Sequence, residues 1–144
     1  MEAIKSDLVI IGAGLTGLSL HHFLKETSLK IDLLEARPRL GGRVHTLYPE
    51  GGPPVEMGAT WLGAKHTRLV ELLKSLNLGI FPQKLGKQAI YEWISTSPPQ
   101  LVALPENGEP SFRIRGGTAA LIDALAQEIL PETLHLGEPV KNII

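Results

Sequence analysis

The chain has 144 residues, a formal net charge of −1 and a hydrophobic share of 43%. These values fit a folded soluble domain and exclude both the basic excess of a nucleic-acid-binding protein and the low hydrophobicity of a disordered chain. Cysteine is absent, which excludes a disulfide framework and a thiolate metal site. The sequence has no apolar run of membrane-spanning length and no recognisable signal peptide, so we expect a cytoplasmic protein without a membrane segment.

The first motif joins an apolar strand to a glycine-rich turn and a helix. The strand, Leu8 to Ile11, is followed by Gly12-Ala13-Gly14-x-x-Gly17, after which apolar residues recur at helical spacing. Gly12 can take backbone angles closed to other residues, Gly14 lets a pyrophosphate approach the backbone, and Gly17 lets the helix pack close to the strand. The helix N-terminus then faces an anion with free N–H groups and its positive dipole end. This pattern predicts a dinucleotide site.

A second buried strand is predicted from Ile31 to Leu34, and Glu35 ends it. The distance from Gly17 to Glu35 is close to the roughly 20 residues expected before the acid that binds the ribose hydroxyls. A carboxylate there favours a ribose without a 2′-phosphate. The alternative for the glycine pattern alone is an ordinary turn, but that alternative does not account for the strand, the helix and the acid together.

The segment after the second strand reads Glu35-Ala36-Arg37-Pro38-Arg39-Leu40-Gly41-Gly42-Arg43. An acid, an arginine and a Gly-Gly-Arg triplet in this order resemble the N-terminal part of the flavin-containing amine oxidase superfamily. The resemblance implies an incomplete α/β, Rossmann-like FAD-binding domain with the start of a substrate domain. It also implies FAD as the cofactor, with Glu35 on the ribose and Arg43 against the pyrophosphate. In this segment it assigns to the cofactor Glu35, Ala36, Arg37, Gly42 and Arg43.

Arginine suits a pyrophosphate because its planar fork gives two hydrogen bonds and keeps its charge. The alternative for each arginine is a solvated loop position. The motif favours the ligand role for Arg43, and it leaves Arg37, near the adenosine end, equally balanced between the two.

A third block, from Val55 to Gly63, resembles the segment that runs under the flavin in amine oxidases. Small residues suit that place because they let backbone groups approach the edge of the ring. The alternative is a glycine turn beside a partly buried tryptophan. The residues that the resemblance assigns to the flavin are Gly58, Ala59, Thr60 and Trp61.

A fourth block, Phe112 to Ala126, contains a double glycine that opens a helix in the same family, and Thr118 is a plausible cap for it. The last segment, Leu134 to Ile144, predicts two short strands. The resemblance implies that Val140 contacts the adenine through its backbone. Because no turn or cap follows this segment, we expect the chain to be a piece of a longer protein.

The rest of the chain predicts a helix from Thr67 to Leu76, a strand from Ala89 to Ile94 and a turn at Ser97-Pro98-Pro99. We divide the chain into the first part of the FAD-binding domain (1–78), the start of a substrate domain or an excursion (79–111) and a return to the FAD-binding domain (112–144). No internal repeat or low-complexity segment is present.

Side chains for chemistry beyond the cofactor are sparse. His21 and His22 are adjacent on a helix and point in different directions, so we expect no metal site and at least one solvent-facing ring. Tyr91 and Trp93 are expected to pack in the core rather than line a substrate cavity. No catalytic residue can be named, because the lysine that family enzymes use near the flavin would lie beyond residue 144.

The resemblance implies an FAD-dependent oxidoreductase that oxidises a C–N bond of an amine or amino acid, a small-molecule partner, with oxygen as the acceptor. This chain would carry mainly the adenosine and pyrophosphate half of the site. Two alternatives remain open: a flavin desaturase or protoporphyrinogen oxidase-like enzyme, and a nucleotide-binding piece without catalysis. The sequence does not predict an oligomeric state.

Overall fold

The computed structural model describes residues 5–104 and 109–143. Its strands are β1 Leu8–Ile11, β2 Ile31–Glu35, β3 Thr46–Leu47, β4 Val55–Glu56, β5 Leu62–Gly63, β6 Ile80–Pro82, β7 Gln88–Tyr91, β8 Gln100–Ala103, β9 Ser111–Ile114 and β10 Leu134–Leu136. Its α-helices are α1 Leu15–Leu24, α2 Thr67–Ser75 and α3 Ala119–Ala126, and a 3-10 turn covers Pro131–Thr133.

A parallel sheet of order β1-β2-β10 carries the first motif. Ile10 of β1 and Leu134 of β10 both pair with Leu33 of the central strand. Leu33 is fully buried, whereas Val9 and Ile11, on the other face of β1, are 48% and 55% exposed. The predicted strands and the helix between them are confirmed, and their β-α-β order with a parallel sheet is the predicted α/β fold.

The core is one cluster of buried apolar side chains to which the parallel sheet and the helices α1, α2 and α3 all contribute. Its fully buried large side chains are Leu18, Leu33, Leu73, Leu121 and Leu125. Burying a leucine side chain contributes about 1.5–3 kcal/mol, so these contacts fix α1 and α3 against each other and against β2. The predicted α2 is confirmed to within one residue at each end, and α3 begins directly after Thr118, as predicted.

Residues 79–111 contribute strands to two further sheets. Strand β9 lies between β5 and β6 in an antiparallel sheet, whereas β7 and β8 pair only with each other. The predicted strand to Ile94 is shorter than expected, because the chain bends after Tyr91 toward the Ser-Pro-Pro turn. The expectation that Tyr91 and Trp93 pack in the core is wrong: they are 47% and 77% exposed, since no described element covers this hairpin.

Two further expectations need correction. Among residues up to 143 the last segment forms one strand, β10, and the residues around Val140 form none; Ile144 lies outside the described residues. Neither His21 nor His22 faces solvent, because α1 packs against α3. His21 is 8% exposed, and His22 Nδ1 lies 2.6 Å from Glu128 Oε2, just beyond α3.

Across the described ranges, no helix combines the length and apolar character needed to cross a bilayer. In the same residues, His, Asp and Glu side chains do not gather in groups of three or more that would suit a metal ion.

Candidate dinucleotide site

A cleft of about 780 Å³ lies at the carboxyl end of β1 and continues along the edge of that strand. Its position follows the rule that ligands of parallel α/β sheets bind outside the carboxyl ends of the strands. The lining residues include most of the predicted adenosine and pyrophosphate set, Gly12, Gly14, Gly17, Glu35, Arg37, Gly42 and Arg43, together with Ala59 of the predicted flavin segment.

The glycine loop at the base of the cleft depends on two of its glycines. Gly12 has a φ of +98°, and its N–H donates to the carbonyl of Leu34 at 2.7 Å. A Cβ on Gly17 would lie 2.0 Å from the carbonyl oxygen of Gly12, so only glycine lets α1 approach the loop this closely. No side chain caps the N-terminus of α1, and no acidic residue occupies its first turn. The first amides of α1 are therefore suited to an anion.

The carboxylate of Glu35 holds the backbone on both sides of the cleft. One oxygen, Oε2, accepts the N–H of Ala13 at 2.9 Å, and the other, Oε1, accepts the N–H of Arg37 at 2.9 Å. The residue is 8% exposed. A carboxylate can accept about four hydrogen bonds, so two positions remain for ribose hydroxyls.

A Gly-Gly turn packs on top of the glycine loop. The N–H of Gly41 donates to the carbonyl of Ala13 at 2.8 Å, and Gly41 and Gly42 have φ values of +93° and +57°. The guanidinium of Arg39 donates to the carbonyls of Leu40 and Gly42, both at 3.0 Å. Sequence reasoning gave Arg39 no role. An arginine just before a double glycine was the available signal, since glycine turns leave carbonyls without partners.

The two predicted arginine ligands, Arg37 and Arg43, are exposed at the rim of the cleft. Neither forms an ion pair with a carboxylate in the described part of the chain, so their charges are available to a phosphate. Both also line a second cavity of about 530 Å³, which shares Gly42 and Ala59 with the first. The two cavities therefore adjoin at Arg37 and Arg43, and we call the second one the arginine cavity.

The third sequence block forms one wall of the second cavity. A Cβ on Gly58 would lie 2.0 Å from the carbonyl oxygen of Arg43, and the N–H of Ala59 donates to that oxygen at 3.1 Å. The hydroxyl of Thr60 is buried without a partner among the described residues, and Trp61 is 64% exposed.

The structure does not gather every predicted site residue. Ala13 is fully buried, and its N–H and C=O bond within the protein. The predicted site residues that line neither cavity are Ala13, Ala36, Thr60, Trp61 and Val140. Val140 is 38% exposed beyond β10.

The predicted capping role of Thr118 is wrong in its mechanism. Thr118 does occupy the N-cap position of α3, but its hydroxyl makes no capping bond to the helix. Its hydroxyl donates instead to Glu56 at 3.1 Å, and the N–H of Ala119 donates to Thr46. Sequence reasoning missed both Thr46 and Glu56 because they lie far from the helix along the chain.

The groups with the clearest pKa shifts near β2 and α1 are structural rather than part of the cleft. Burial opposes ionisation of Asp32, but hydrogen bonds from Ser6 and His135 outweigh it and hold the pKa of Asp32 below its usual value. Burial lowers the pKa of His21, and the nearby charge of Glu128 only partly offsets this.

Comparison with known proteins agrees with this geometry. Residues 10–76 match the family described as NAD(P)-binding Rossmann-like domain, and residues 94–144 match the family described as flavin containing amine oxidoreductase. The chain is 31% identical to probable polyamine oxidase 4 of Arabidopsis thaliana over 88% of its own length and 27% of that protein. It is 34% identical to amine oxidase [flavin-containing] B of Mus musculus over 51% of its length and 14% of that protein.

A solved structure of a putrescine oxidase variant shares the fold. It superposes on 96% of this chain with a TM-score of 0.78 at 16% identity, and this chain covers 52% of it. The chain spans about a quarter of the length of the polyamine oxidase and a smaller part of the monoamine oxidase. With its glycine loop, acid, Gly-Gly-Arg turn and parallel sheet, the chain belongs to the flavin-containing amine oxidase superfamily, whose cofactor is FAD.

Proposed function

We propose that the protein containing this sequence is an FAD-dependent oxidase that acts on a C–N bond of an amine or amino acid and passes electrons to oxygen. The observation that carries the proposal is the cleft in which the glycine loop, Glu35 and Arg43 meet at the end of a parallel sheet. This chain supplies the adenosine and pyrophosphate part of the site.

The cleft has the donors and the space that a dinucleotide needs. Uncapped amides of α1 and the unpaired guanidinium of Arg43 suit a pyrophosphate, and the remaining lone pairs of Glu35 suit the ribose. The absence of side chains at Gly12 and Gly14 leaves the floor of the cleft open to close approach.

Residues of this chain bind and orient the cofactor rather than carry the bond-breaking step. When bound, FAD supplies the electron-accepting ring. Gly58 and Ala59 support the far side of the arginine cavity, where the backbone can contact a ring edge without changing its protonation state. The amine class of substrate is supported by the polyamine, monoamine and putrescine oxidases among the relatives.

The binding part of the proposal is tested by titrating FAD into the purified chain and following flavin fluorescence. We expect Arg43→Met to weaken binding by about 10- to 150-fold, since a charged hydrogen bond to phosphate is worth about 1.5–3 kcal/mol. Arg68→Met is the matched control, because the side chain of Arg68 is 96% exposed and remote from the cleft. Absence of FAD binding by the unaltered chain contradicts the proposal.

The ribose assignment has its own test. ADP-ribose and its 2′-phosphate compete with FAD, and the carboxylate of Glu35 should disfavour the phosphorylated form. In Glu35→Gln this preference should shrink by about tenfold through loss of one charge repulsion. Equal preference in both proteins would show that Glu35 does not face the ribose.

The reaction is tested with the intact protein that contains this sequence. A panel of primary amines, polyamines and amino acids is added under air, and both bleaching of the flavin band and hydrogen peroxide are measured. We expect at least one amine to give both signals. Flavin that no amine bleaches, in a protein that binds FAD, would favour the desaturase or porphyrinogen-oxidase alternative.

A further inference from the structure

One carboxylate joins three elements beside the cleft. Glu56, the last residue of β4, accepts the hydroxyl of Thr46 on β3 through Oε2 at 2.7 Å. Its Oε1 accepts the N–H of Thr118 at 2.7 Å and the hydroxyl of the same residue at 3.1 Å. The hydroxyl of Thr46 accepts the N–H of Ala119 at 2.9 Å. Glu56 and Thr46 therefore satisfy the first amides of α3.

The charge of Glu56 is well placed at this helix end. The N-terminus of α3 carries the positive end of the helix dipole, and hydrogen bonds to an ionised acceptor are stronger than neutral ones. The backbone before the helix is also pressed against β3, since a Cβ on Gly117 would lie 2.7 Å from Cγ2 of Thr46. Contact between α3 and the β3-β4 hairpin is thus both polar and steric.

The same hairpin leads directly into the wall of the arginine cavity. Thr46 and Glu56 are paired across β3 and β4, and the pairing continues where Ala59 N–H donates to the carbonyl of Arg43. Gly58 lies against that carbonyl too closely for any side chain. Glu56 is therefore connected to Arg43 and Ala59 through the backbone pairing of one hairpin.

Helix α3 supports the opposite side of the cleft as well. A Cβ on Gly41 would lie 3.4 Å from Ile122 of α3, so the helix lies directly behind the Gly-Gly turn. Ile122 is buried. The bonds between Glu56 and Thr118 consequently connect the hairpin to the helix that lies behind the Gly-Gly turn.

We propose that Glu56 is a positioning residue of the dinucleotide site: by bonding to the N-terminus of α3, which packs behind the Gly41-Gly42 turn, it fixes the β3-β4 hairpin and the Gly58-Ala59 wall relative to that turn. The identity of the ligand rests on the proposed function. Glu56 lines neither cavity, so its effect on binding is transmitted through Arg43 and the backbone rather than by contact.

The affinity test compares Glu56→Gln with Glu128→Gln in the 144-residue chain. Glu128 is a matched control because its carboxylate also joins two elements, through His22 and Lys25, and lines neither cavity of the site. We expect both variants to melt at lower temperature, and only Glu56→Gln to bind FAD about tenfold more weakly. Equal FAD affinity of Glu56→Gln and the unaltered chain overturns the proposal.

Two variants of Thr46 test the same contacts if Glu56→Gln does not fold. Thr46→Val removes the hydroxyl that Glu56 and Ala119 share, whereas Thr46→Ser keeps it. We expect weakened FAD binding in the valine variant and recovery in the serine variant. Equal weakening in both would show that packing, rather than the hydrogen bonds, matters at this position.

Hydrogen exchange of the FAD-free protein tests the coupling without a ligand. In Glu56→Gln, the amides of Ala119 and Ala59 should both exchange faster, because the first is held through Thr46 and the second through the hairpin. Faster exchange at Ala119 alone would overturn the proposal. If the unaltered chain binds no FAD, the proposed function fails, while this exchange result still decides whether Glu56 couples α3 to the wall.

Discussion

The β1-α1-β2 unit and the β7-β8 hairpin use their apolar side chains in opposite ways. In the first, Leu18 and Leu33 are fully buried. In the second, Ile90 and Leu101 are 77% and 66% exposed. Among the described strands, β7 and β8 pair only with each other. An isolated two-stranded hairpin of this kind is at best marginally stable in water. The cleft is built on the region whose backbone is fixed by packing.

The largest expected effect is on the free energy of unfolding when one leucine in each region is replaced by alanine. Leu33→Ala should cost about 2–5 kcal/mol of unfolding free energy, since it opens a cavity under the central strand. Leu101→Ala should change it by less than about 0.5 kcal/mol, because that side chain is mostly in water. Urea denaturation followed by circular dichroism measures both. Similar losses would mean that the hairpin is covered in solution.

A smaller loss is expected from adding one methyl group to the glycine loop. Gly17→Ala would place a Cβ 2.0 Å from the carbonyl oxygen of Gly12. We expect this clash to displace α1 and to lower the free energy of unfolding by about 1–3 kcal/mol. Gly63→Ala, where no atom lies within 4 Å, is the control. Thermal melts give both values. If Gly17→Ala gains stability from helix propensity alone, α1 does not approach the loop as closely as described.

The buried ring of His21 should make stability depend on pH. Its Nδ1 has no partner in the described structure, and burial lowers its pKa from 6.5. Just below pH 6.5, the unfolded chain therefore binds more protons at His21 than the folded chain does. Protonation thus favours the unfolded state, and the free energy of unfolding falls as the pH falls through that range. Nearby charged groups are His22, Lys25 and Glu128.

Two variants of His21 separate titration from burial of a polar atom. His21→Leu should raise stability by about 1 kcal/mol at pH 7 and flatten the pH dependence below pH 6.5. His21→Gln should flatten the dependence without the gain. Melting temperatures across the pH range measure both effects, and an unchanged slope in both variants would exclude His21 as the titrating group.

The smallest expected effect concerns the Gly-Gly turn. Arg39→Lys removes the rigid fork whose two nitrogens each reach one carbonyl, so we expect the free energy of unfolding to fall by about 0.5 kcal/mol. Arg68→Lys, on an exposed part of α2, should show no change. Differential scanning calorimetry has the required precision. An equal change in both variants would show that the Arg39 contacts do not stabilise the turn.

Local sequence patterns were sufficient to predict the β1-α1-β2 unit. The glycine spacing and the apolar strands depend on residues close together in the chain, and the structure places Gly12, Gly17 and Glu35 around one cleft. The same holds for the start of α3, which follows from the double glycine, Thr118 and the helical spacing after them. Elements that are determined by residues close together in the chain were therefore predicted to within a residue or two.

Several of the wrong predictions depend on partners distant in the chain. His22 is held by Glu128, 106 residues later, and burial of the neighbouring His21 follows from the same packing. The cap of α3 comes from Thr46, 73 residues earlier, so no local signal distinguishes it from a cap by Thr118. An aromatic residue such as Trp93 is usually packed in a core. Only the three-dimensional arrangement shows that no described element covers its side chain.

The two hydrogen bonds from Ala13 and Arg37 to Glu35 have a further consequence, which concerns entropy. They hold the loop amides in one conformation before any nucleotide arrives. Ordering a flexible residue on binding costs about 1–2 kcal/mol, so a loop already held in this way loses little freedom when the ligand binds. The acid at the end of β2 thus acts as a preorganising group in the empty protein as well as a candidate ribose ligand.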